Sequence, residues 1–383
     1  MRSSLAVRRA PLPRAAPLQA PPDTWLFAAV AILVGIGVVM IYSASSVTAY
    51  AEHLDPAYYA KRQLLWLVVG GTLAYGAYRI DYMLLRRFAP YIFTAAVLGL
   101  LLAFVPHIGI RINGAHRWIG FRSLTVQPSE FAKLALVIFL AAWLSGRSPR
   151  IDVTKFAGGL IPALVPIVVT ALLVVAEPDF GTASLIAMTG FVMLFAGGAR
   201  IVHMAIASLA MLPAVLLEIA HNPASRARIF AFIDPWRDPE NTGFHIIQSL
   251  YALGSGGLTG VGLGASRAKF FYLPEQYTDF IFSVLGEELG LIGALGVVVL
   301  FVILAFRAIR IALAAREPFG FMLVVGCTAM IVLQAFVNIG VVTSSWPVTG
   351  VPLPFVSFGG SSLIVDLIAV ALILNVGRHS RAR

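Results

Sequence analysis

The residues best able to do chemistry in this 383-residue chain are acids in surroundings where an apolar chain should have none. Asp279 ends the run Glu275-Gln276-Tyr277-Thr278-Asp279-Phe280, directly before a long apolar stretch. An Asp in that place can cap the following helix with its side chain. It can equally serve as a general base, because partial desolvation raises a carboxyl's pKa toward the working range. Glu287 and Glu288 follow eight and nine residues later. Two adjacent glutamates cannot share one helix face, so at least one needs a polar partner or a hydrated cavity. Glu130 and Lys133 stand three apart after Pro128-Ser129 and so lie on one helix face. They read either as a structural ion pair or as a pair that also orients a polar substrate. Asp366 lies inside another apolar run and is expected to meet a backbone or side-chain donor.

Other patterns carry less. Gly260-Val261-Gly262-Leu263-Gly264 has no strand before it and no ribose-binding acid after it. Ser266-Arg267-Ala268-Lys269 spells S-x-x-K, but the companion S-D-N and K-T-G patterns are absent. The seven histidines show no zinc spacing, and no D-x-D motif for a metal-bound nucleotide sugar occurs. Cys327 is the single cysteine, so no disulfide can form within the chain and a thiol metal site has no support.

The elements that must position these acids are membrane helices. Hydrophobic residues make up 59% of the chain and charged ones 12%, about half the charge of a soluble domain, and the mean hydropathy is +0.88. That excludes a soluble enzyme, a disordered chain and a coiled coil. Apolar runs at 25–47, 63–79, 88–106, 130–146, 156–175, 180–198, 201–219, 280–305, 318–342 and 361–377 predict ten transmembrane helices in an all-α, polytopic fold. The net charge of +10 falls in short basic clusters between these runs, a membrane-topology pattern and not a nucleic-acid surface. With a cytoplasmic N-terminus, the inner segments hold 17 of the 28 bases and four acids, so both termini are expected in the cytoplasm. Residues 1–24 then form a disordered cytoplasmic tail, retained because the charge-free run after it is too long for a cleaved signal. Residues 25–377 form the membrane domain and 378–383 a cytoplasmic C-terminal tail.

This topology exports the loop 107–129, the turn Glu177-Pro178-Asp179 and the large loop 220–279 between the seventh and eighth helices. Loops as long as the last are uncommon unless they are functional. The stretch 344–362 has three prolines and three glycines, too many for a regular helix, yet it is too apolar for a solvated loop. Irregular backbone at that depth is tolerated where protein buries it or it lines a cavity, so 344–360 reads as a re-entrant-like segment walling a site.

Together these segments resemble the SEDS family of polytopic membrane proteins, the FtsW/RodA/SpoVE group. The likeness runs over most of 25–377. It rests on Ile112-Asn113-Gly114-Ala115-His116-Arg117-Trp118-Ile119, Gln127-Pro128-Ser129-Glu130-Phe131-Ala132-Lys133 and Glu177-Pro178-Asp179-Phe180-Gly181-Thr182-Ala183. It continues in Tyr272-Leu273-Pro274-Glu275 with Thr278-Asp279-Phe280, then Gly286-Glu287-Glu288-Leu289-Gly290, and closes in Pro347-Val348-Thr349-Gly350 and Pro352 to Ser362. The resemblance implies a peptidoglycan glycosyltransferase that polymerises lipid II at the outer face of the cytoplasmic membrane. It places the family's essential acid on Asp279, as base toward the acceptor hydroxyl. Trp118, Glu130, Lys133, Asp179, Arg226, Lys269, Glu275, Ser357 and Ser361 are the substrate-binding candidates, with Arg228 among the outer cations available to the diphosphate. It makes no cofactor certain, and Mg²⁺ or Mn²⁺ could accompany the diphosphate. Implied partners are the nascent glycan, a class B penicillin-binding protein (a transpeptidase) and other division or elongation proteins. The sequence departs from the family at Tyr277, where His is frequent, so no proton-relay role is carried over there. The Tyr272 to Glu275 run, Phe358 and Tyr42-Ser43-Ala44-Ser45 favour the septal, FtsW-like branch over the RodA-like one. A lipid II flippase or a scaffold for a transpeptidase are the competing readings.

Overall fold

The structure, a computed structural model, describes residues 21–112, 115–121, 124–146, 152–270 and 272–380. Most of the N-terminal tail, Arg147, Arg150 and the last three residues lie outside the described residues. The helices are α1 (Thr24–His53), α2 (Tyr58–Arg79), α3 (Met83–Leu102), α4 (Pro128–Leu144), α5 (Ile161–Ala176) and α6 (Phe180–Ala196). They continue with α7 (Ile201–His221), α8 (Pro223–Ile233), α9 (Phe244–Gly256), α10 (Ile281–Ala314), α11 (Pro318–Val342) and α12 (Gly360–His379). A helix stands at each of the ten expected spans. Seven of these are long and apolar enough to cross a membrane on length and composition alone, counting α5 with the π-helical turn Phe156–Leu160 that leads into it. Helices α2, α4 and α6 fall short of that measure.

Two of the segments expected outside the membrane carry structure that apolar patterning does not reveal. Between α3 and α4 lie three antiparallel strands, β1 (Gly109–Ile112), β2 (Ala115–Phe121) and β3 (Leu124–Val126), in that order. Gly109 pairs with Ile119, Ile110 with Trp118, and Ile119 with Val126. The fold is therefore helical with one small sheet. The stretch 220–279 holds α8, a short 3₁₀ turn and α9, so it is not a structureless loop.

Burial separates the centre of the bundle from its rim. In the most apolar windows of α11 and α12, 72% and 78% of residues are buried, against 6% in α7 and 11% in α3. Small residues let the central helices approach: Gly70 of α2 lies on the backbone of Ile364, and Gly37 of α1 lies on the 355–356 backbone. Polar side chains tie helix ends together. Asp23 accepts from the Leu26 amide at 3.0 Å, capping α1, and binds the Arg307 guanidinium of α10. Asn375 of α12 donates to the carbonyls of Ala77, Tyr78 and Ile80, where α2 ends and its last carbonyls lack helical partners.

Helix α10 is broken at Gly290, whose φ is 67°. The break lets residues 257–262 pair with it: Leu291 and Ile292 amides donate to Gly257 and Leu258, while Val261 and Gly262 amides donate to Glu287 and Glu288 carbonyls. A Cβ at 290 would collide with the Gly260 nitrogen and the Leu258 carbonyl. Gly290→Ala is expected to cost more than the roughly 1–2 kcal/mol of a left-handed residue alone, read as a lowered thermal midpoint of the purified protein.

Candidate functional site

Asp279 sits in the turn that enters α10, half-buried. It does not cap that helix. The cap position is Phe280, which makes no side-chain cap bond, and the turn is closed by the Thr278 and Phe280 amides donating to the Glu275 carbonyl. Among the described residues none donates a hydrogen bond to the Asp279 carboxylate. Its backbone, by contrast, is held firmly. Asn338 of α11 donates through Nδ2 to the Asp279 carbonyl at 2.7 Å and to the Val351 carbonyl at 2.8 Å. Ser357 Oγ donates to the Thr278 carbonyl at 2.5 Å, and the Phe358 amide donates to the Tyr277 carbonyl at 2.9 Å.

The irregular segment 344–359 therefore walls the acid, in keeping with its composition. Gly350, with φ 71°, lies so that a Cβ would stand 3.4 Å from Asp279 Oδ2. On the other side of this segment, Gly181 at the start of α6 packs on the Thr349 carbonyl. That brings the Glu177-Pro178-Asp179 turn toward Asp279. Asp179 caps α6 by accepting from the Thr182 amide at 3.0 Å, and also accepts from Gln127 Nε2 at 3.1 Å. The Gln127 amide in turn donates to Ser361 Oγ at 3.0 Å. Arg117, on β2, donates from Nε to the Glu177 carbonyl at 3.1 Å and from Nη2 to the Pro178 carbonyl at 2.5 Å.

These contacts assemble an electrostatic group. Burial pushes the Asp279 carboxyl up to about 7; the Glu275 and Asp179 carboxylates add to the rise, while Arg117 and Arg228 oppose it. Arg228, on α8, is held below the usual guanidinium range by burial and by Arg117, against the pull of Asp179 and Asp279. The charges of two guanidiniums thus act on Asp279, and that of Arg228 is drawn by Asp179 as well. Glu177 is fully buried, neither carboxylate oxygen has a hydrogen-bond partner among the described residues, and burial plus Asp179 push it up to about 8. His245 of α9 stacks on Phe280 at 5.8 Å, and burial holds its pKa below the ordinary value.

The other expected site residues are distributed as follows. Glu275 is exposed, in a left-handed turn, and accepts from Thr278 Oγ1 at 2.9 Å. Trp118 is half-buried on β2 one residue beyond Arg117. Arg226 is exposed. Lys269 is buried with its ammonium on the Gly264 carbonyl, inside the loop and occupied there. Ser266 likewise serves Glu287, which also accepts from the Arg267 and Ala268 amides; Glu288 accepts from Ser43 Oγ at 2.6 Å and the Ser266 amide at 3.4 Å. The two glutamates thus find polar partners on opposite sides and pin the 265–269 loop to α10. In the sequence Arg117 is one residue of a longer motif and Arg228 one of several outer cations. What singles both out is that the tertiary fold brings their charges to bear on Asp279.

Glu130 and Lys133 form a buried ion pair at 3.0 Å. Lys133 also donates to Gln334 Oε1 at 2.7 Å, and Gln334 Nε2 reaches the Pro352 carbonyl and Ser362 Oγ. Ser362 donates to Asp366 at 3.3 Å. The network joins α4, α11, α12 and the irregular segment.

The family described as "Cell cycle protein" (FTSW_RODA_SPOVE) matches residues 24–382. The chain belongs to that family. It is 44% identical over 360 residues to the Stage V sporulation protein E of Bacillus subtilis, covering 94% of this chain and 98% of that one. It is also 44% identical over 348 residues to the probable peptidoglycan glycosyltransferase FtsW of Geobacter metallireducens, covering 90% and 92%. Among solved structures it matches a chain from work on the structural coordination of polymerization and crosslinking by a peptidoglycan synthase complex. That match has TM-score 0.77 and 30% identity, over 93% of this chain and 98% of that one. It matches the Thermus thermophilus rod shape determining protein RodA with TM-score 0.69 and 28% identity, covering 94% and 98%. This family member is a polytopic, membrane-embedded protein.

Two outcomes follow from the buried charges. Lys133→Ala leaves Glu130 uncompensated and should destabilise by about 3–5 kcal/mol, whereas Glu130→Gln with Lys133→Met should recover much of the folded yield; detergent-solubilised yield and thermal midpoint read this. Glu177 keeps its proton in the fold up to about pH 8, whereas the unfolded chain releases it near its ordinary value of 4.5, so stability falls as pH rises between these values. Glu177→Gln should flatten that fall, giving a higher midpoint than wild type at pH 8 and no difference at pH 4.5.

Proposed function

We propose that this chain is a peptidoglycan glycosyltransferase that polymerises lipid II, with Asp279 as its general base. The observation that carries the proposal is a carboxyl raised to about 7, without a hydrogen-bond donor of its own among the described residues, in the field of two guanidiniums. The relatives named as probable peptidoglycan glycosyltransferases support the same activity.

In this reading Asp279 takes the proton of the acceptor sugar's 4-hydroxyl as that oxygen attacks the anomeric carbon of the donor. The bond from that carbon to the diphosphate oxygen breaks, and undecaprenyl diphosphate leaves with the electron pair. A positioned base supplies about 10²–10⁴ in rate, so the leaving group needs stabilisation as well. Arg117 and Arg228 supply fixed positive charge for it, and Arg fits phosphate oxygens bidentately. Lys133 and Lys269 are already bound to Glu130 with Gln334 and to Gly264.

Among the described residues no three His, Cys, Asp or Glu side chains are grouped to hold a metal. A Mg²⁺ or Mn²⁺ carried in on the diphosphate would be part of the substrate, and no step here is routed through it.

The site's place at the outer leaflet, with both termini in the cytoplasm, follows from the basic residues on the inner segments. The reading also includes septal wall synthesis and a class B penicillin-binding protein as partner. A transpeptidase beside the polymerase is supported by the matched peptidoglycan synthase complex, in which polymerization and crosslinking are coordinated.

Purified protein with its cognate transpeptidase should polymerise labelled lipid II, and Asp279→Asn should lose at least about 10² in rate while staying folded. Because the base acts ionised, the wild-type kcat/KM should rise with pH through about 7 and level off above it. Polymer made equally by wild type and Asp279→Asn would end the base assignment. No polymer from folded, partner-bound wild type would shift weight to a flippase or scaffold role, next tested by transbilayer movement of lipid II.

A further inference from the structure

A continuous run of aromatic rings leads from the outer ends of α1 and α2 to the site. His53 stacks on Tyr58 at 3.7 Å; Tyr58 meets Tyr59 at 5.2 Å; Tyr59 lies on Tyr277 at 4.5 Å. Phe358 closes the group against Tyr59 at 5.2 Å and Tyr277 at 5.9 Å. None of the five is buried, and His53 is exposed. Tyr277 is two residues before Asp279, and its carbonyl is fixed by the Phe358 amide.

Aromatic side chains are common where membrane helices meet water, forming belts at the headgroup level. Here the rings touch one another, and the run ends on Tyr277, two residues before Asp279. Half-exposed aromatic faces beside polar groups are a surface on which sugar rings bind. The C–H faces of a pyranose lie on the negative face of the ring, with dispersion contacts over its whole area. The polar groups are also present: Glu52 accepts from the Tyr59 hydroxyl at 2.6 Å, leaving an exposed carboxylate for sugar hydroxyls or acetamido N–H groups. Charge enters from other elements. Arg117 and Arg228 come from β2 and α8, whereas the rings come from α1, α2, the turn before α10 and the segment before α12. A saccharide with its reacting end at Asp279 and its diphosphate on the arginines would extend its sugars along the rings.

We propose that His53, Tyr58, Tyr59, Tyr277 and Phe358 form a stacking subsite for the sugar rings of a glycan strand. The proposal rests on the glycosyltransferase reading above and adds where the polymer lies. Tyr59, which meets all four of the other rings, is its centre, and Tyr58 and His53 form its outer edge.

The test is direct binding of a fluorescently labelled, lipid-free peptidoglycan glycan oligosaccharide to the full-length purified protein, followed by anisotropy. Tyr58→Ala should weaken binding about tenfold, and Tyr58→Phe, which keeps the ring and loses the hydroxyl, should restore most of it. His53→Ala removes an exposed ring with little consequence for folding and should weaken binding severalfold. It keeps the test decisive where Tyr58→Ala lowers the yield of folded protein. The same two alanine variants should make shorter strands from lipid II. Binding by Tyr58→Ala and His53→Ala indistinguishable from wild type would overturn the subsite. The binding measurement involves no turnover, so a wild-type protein that binds the oligosaccharide and makes no polymer would count against the catalytic reading alone.

Discussion

An irregular backbone stretch lies deep among the helices, and its polar groups must find partners in protein. Residues 344–359 cannot form a helix, and within an apolar bundle an unpaired carbonyl or amide there is costly. Side chains from several elements meet the demand. Gln334 and Asn338 of α11 reach the Pro352 and Val351 carbonyls, Gln63 of α2 reaches the Ser357 carbonyl at 3.2 Å, and Ser357 itself accepts from the Leu353 amide. Asn338 and Ser357 each spend a second bond on the turn before α10, and that is what places Asp279. The acid is thus located by groups that never touch its carboxylate.

The same arrangement explains why the acid is electrostatically unusual. Its backbone is held by hydrogen bonds while its side chain receives none from the described residues, so burial acts on the carboxyl without that compensation. The close packing of Gly181 on Thr349 draws a second acidic turn toward it, and Arg117 and Arg228 balance the charge. Glu177, buried beside them, stays protonated near neutral pH for the same reason. The site is acidic and cationic at once, a combination suited to a reaction in which a proton is taken and a diphosphate departs.

The buried glutamates divide by what they hold. Glu130 belongs to the network that secures the irregular segment from the α4 side. Glu287 and Glu288 secure the glycine-rich loop from within α10, which can lend its carbonyls because Gly290 interrupts the helix. In each case a carboxyl group within an apolar helix is matched by donors from the side chains or backbone packed against it, as the expense of such groups requires.

The helices, the membrane class and the acid to suspect are legible in the sequence alone. Apolar run lengths, basic clusters and a carboxylate at a helix entrance are local properties, readable without knowing what packs against what. The helical secondary structure of all ten runs follows from that, as does the irregularity of 344–359, whereas residues 360–362, expected to be irregular with it, form the first turn of α12. Tertiary packing set the remainder. That α10 starts after Phe280, freeing Asp279 from a capping role, depends on a turn closed on Glu275. That Lys269 is consumed by Gly264 while Arg117 and Arg228 act on Asp279 is decided by packing, which carries Arg117 to the Glu177 and Pro178 carbonyls 60 and 61 residues along the chain. The small sheet of 109–126 leaves little mark in the sequence because its strands are short and its apolar alternation weak. Side-chain pairing between remote segments is set by packing geometry, and one-dimensional spacing holds no record of it.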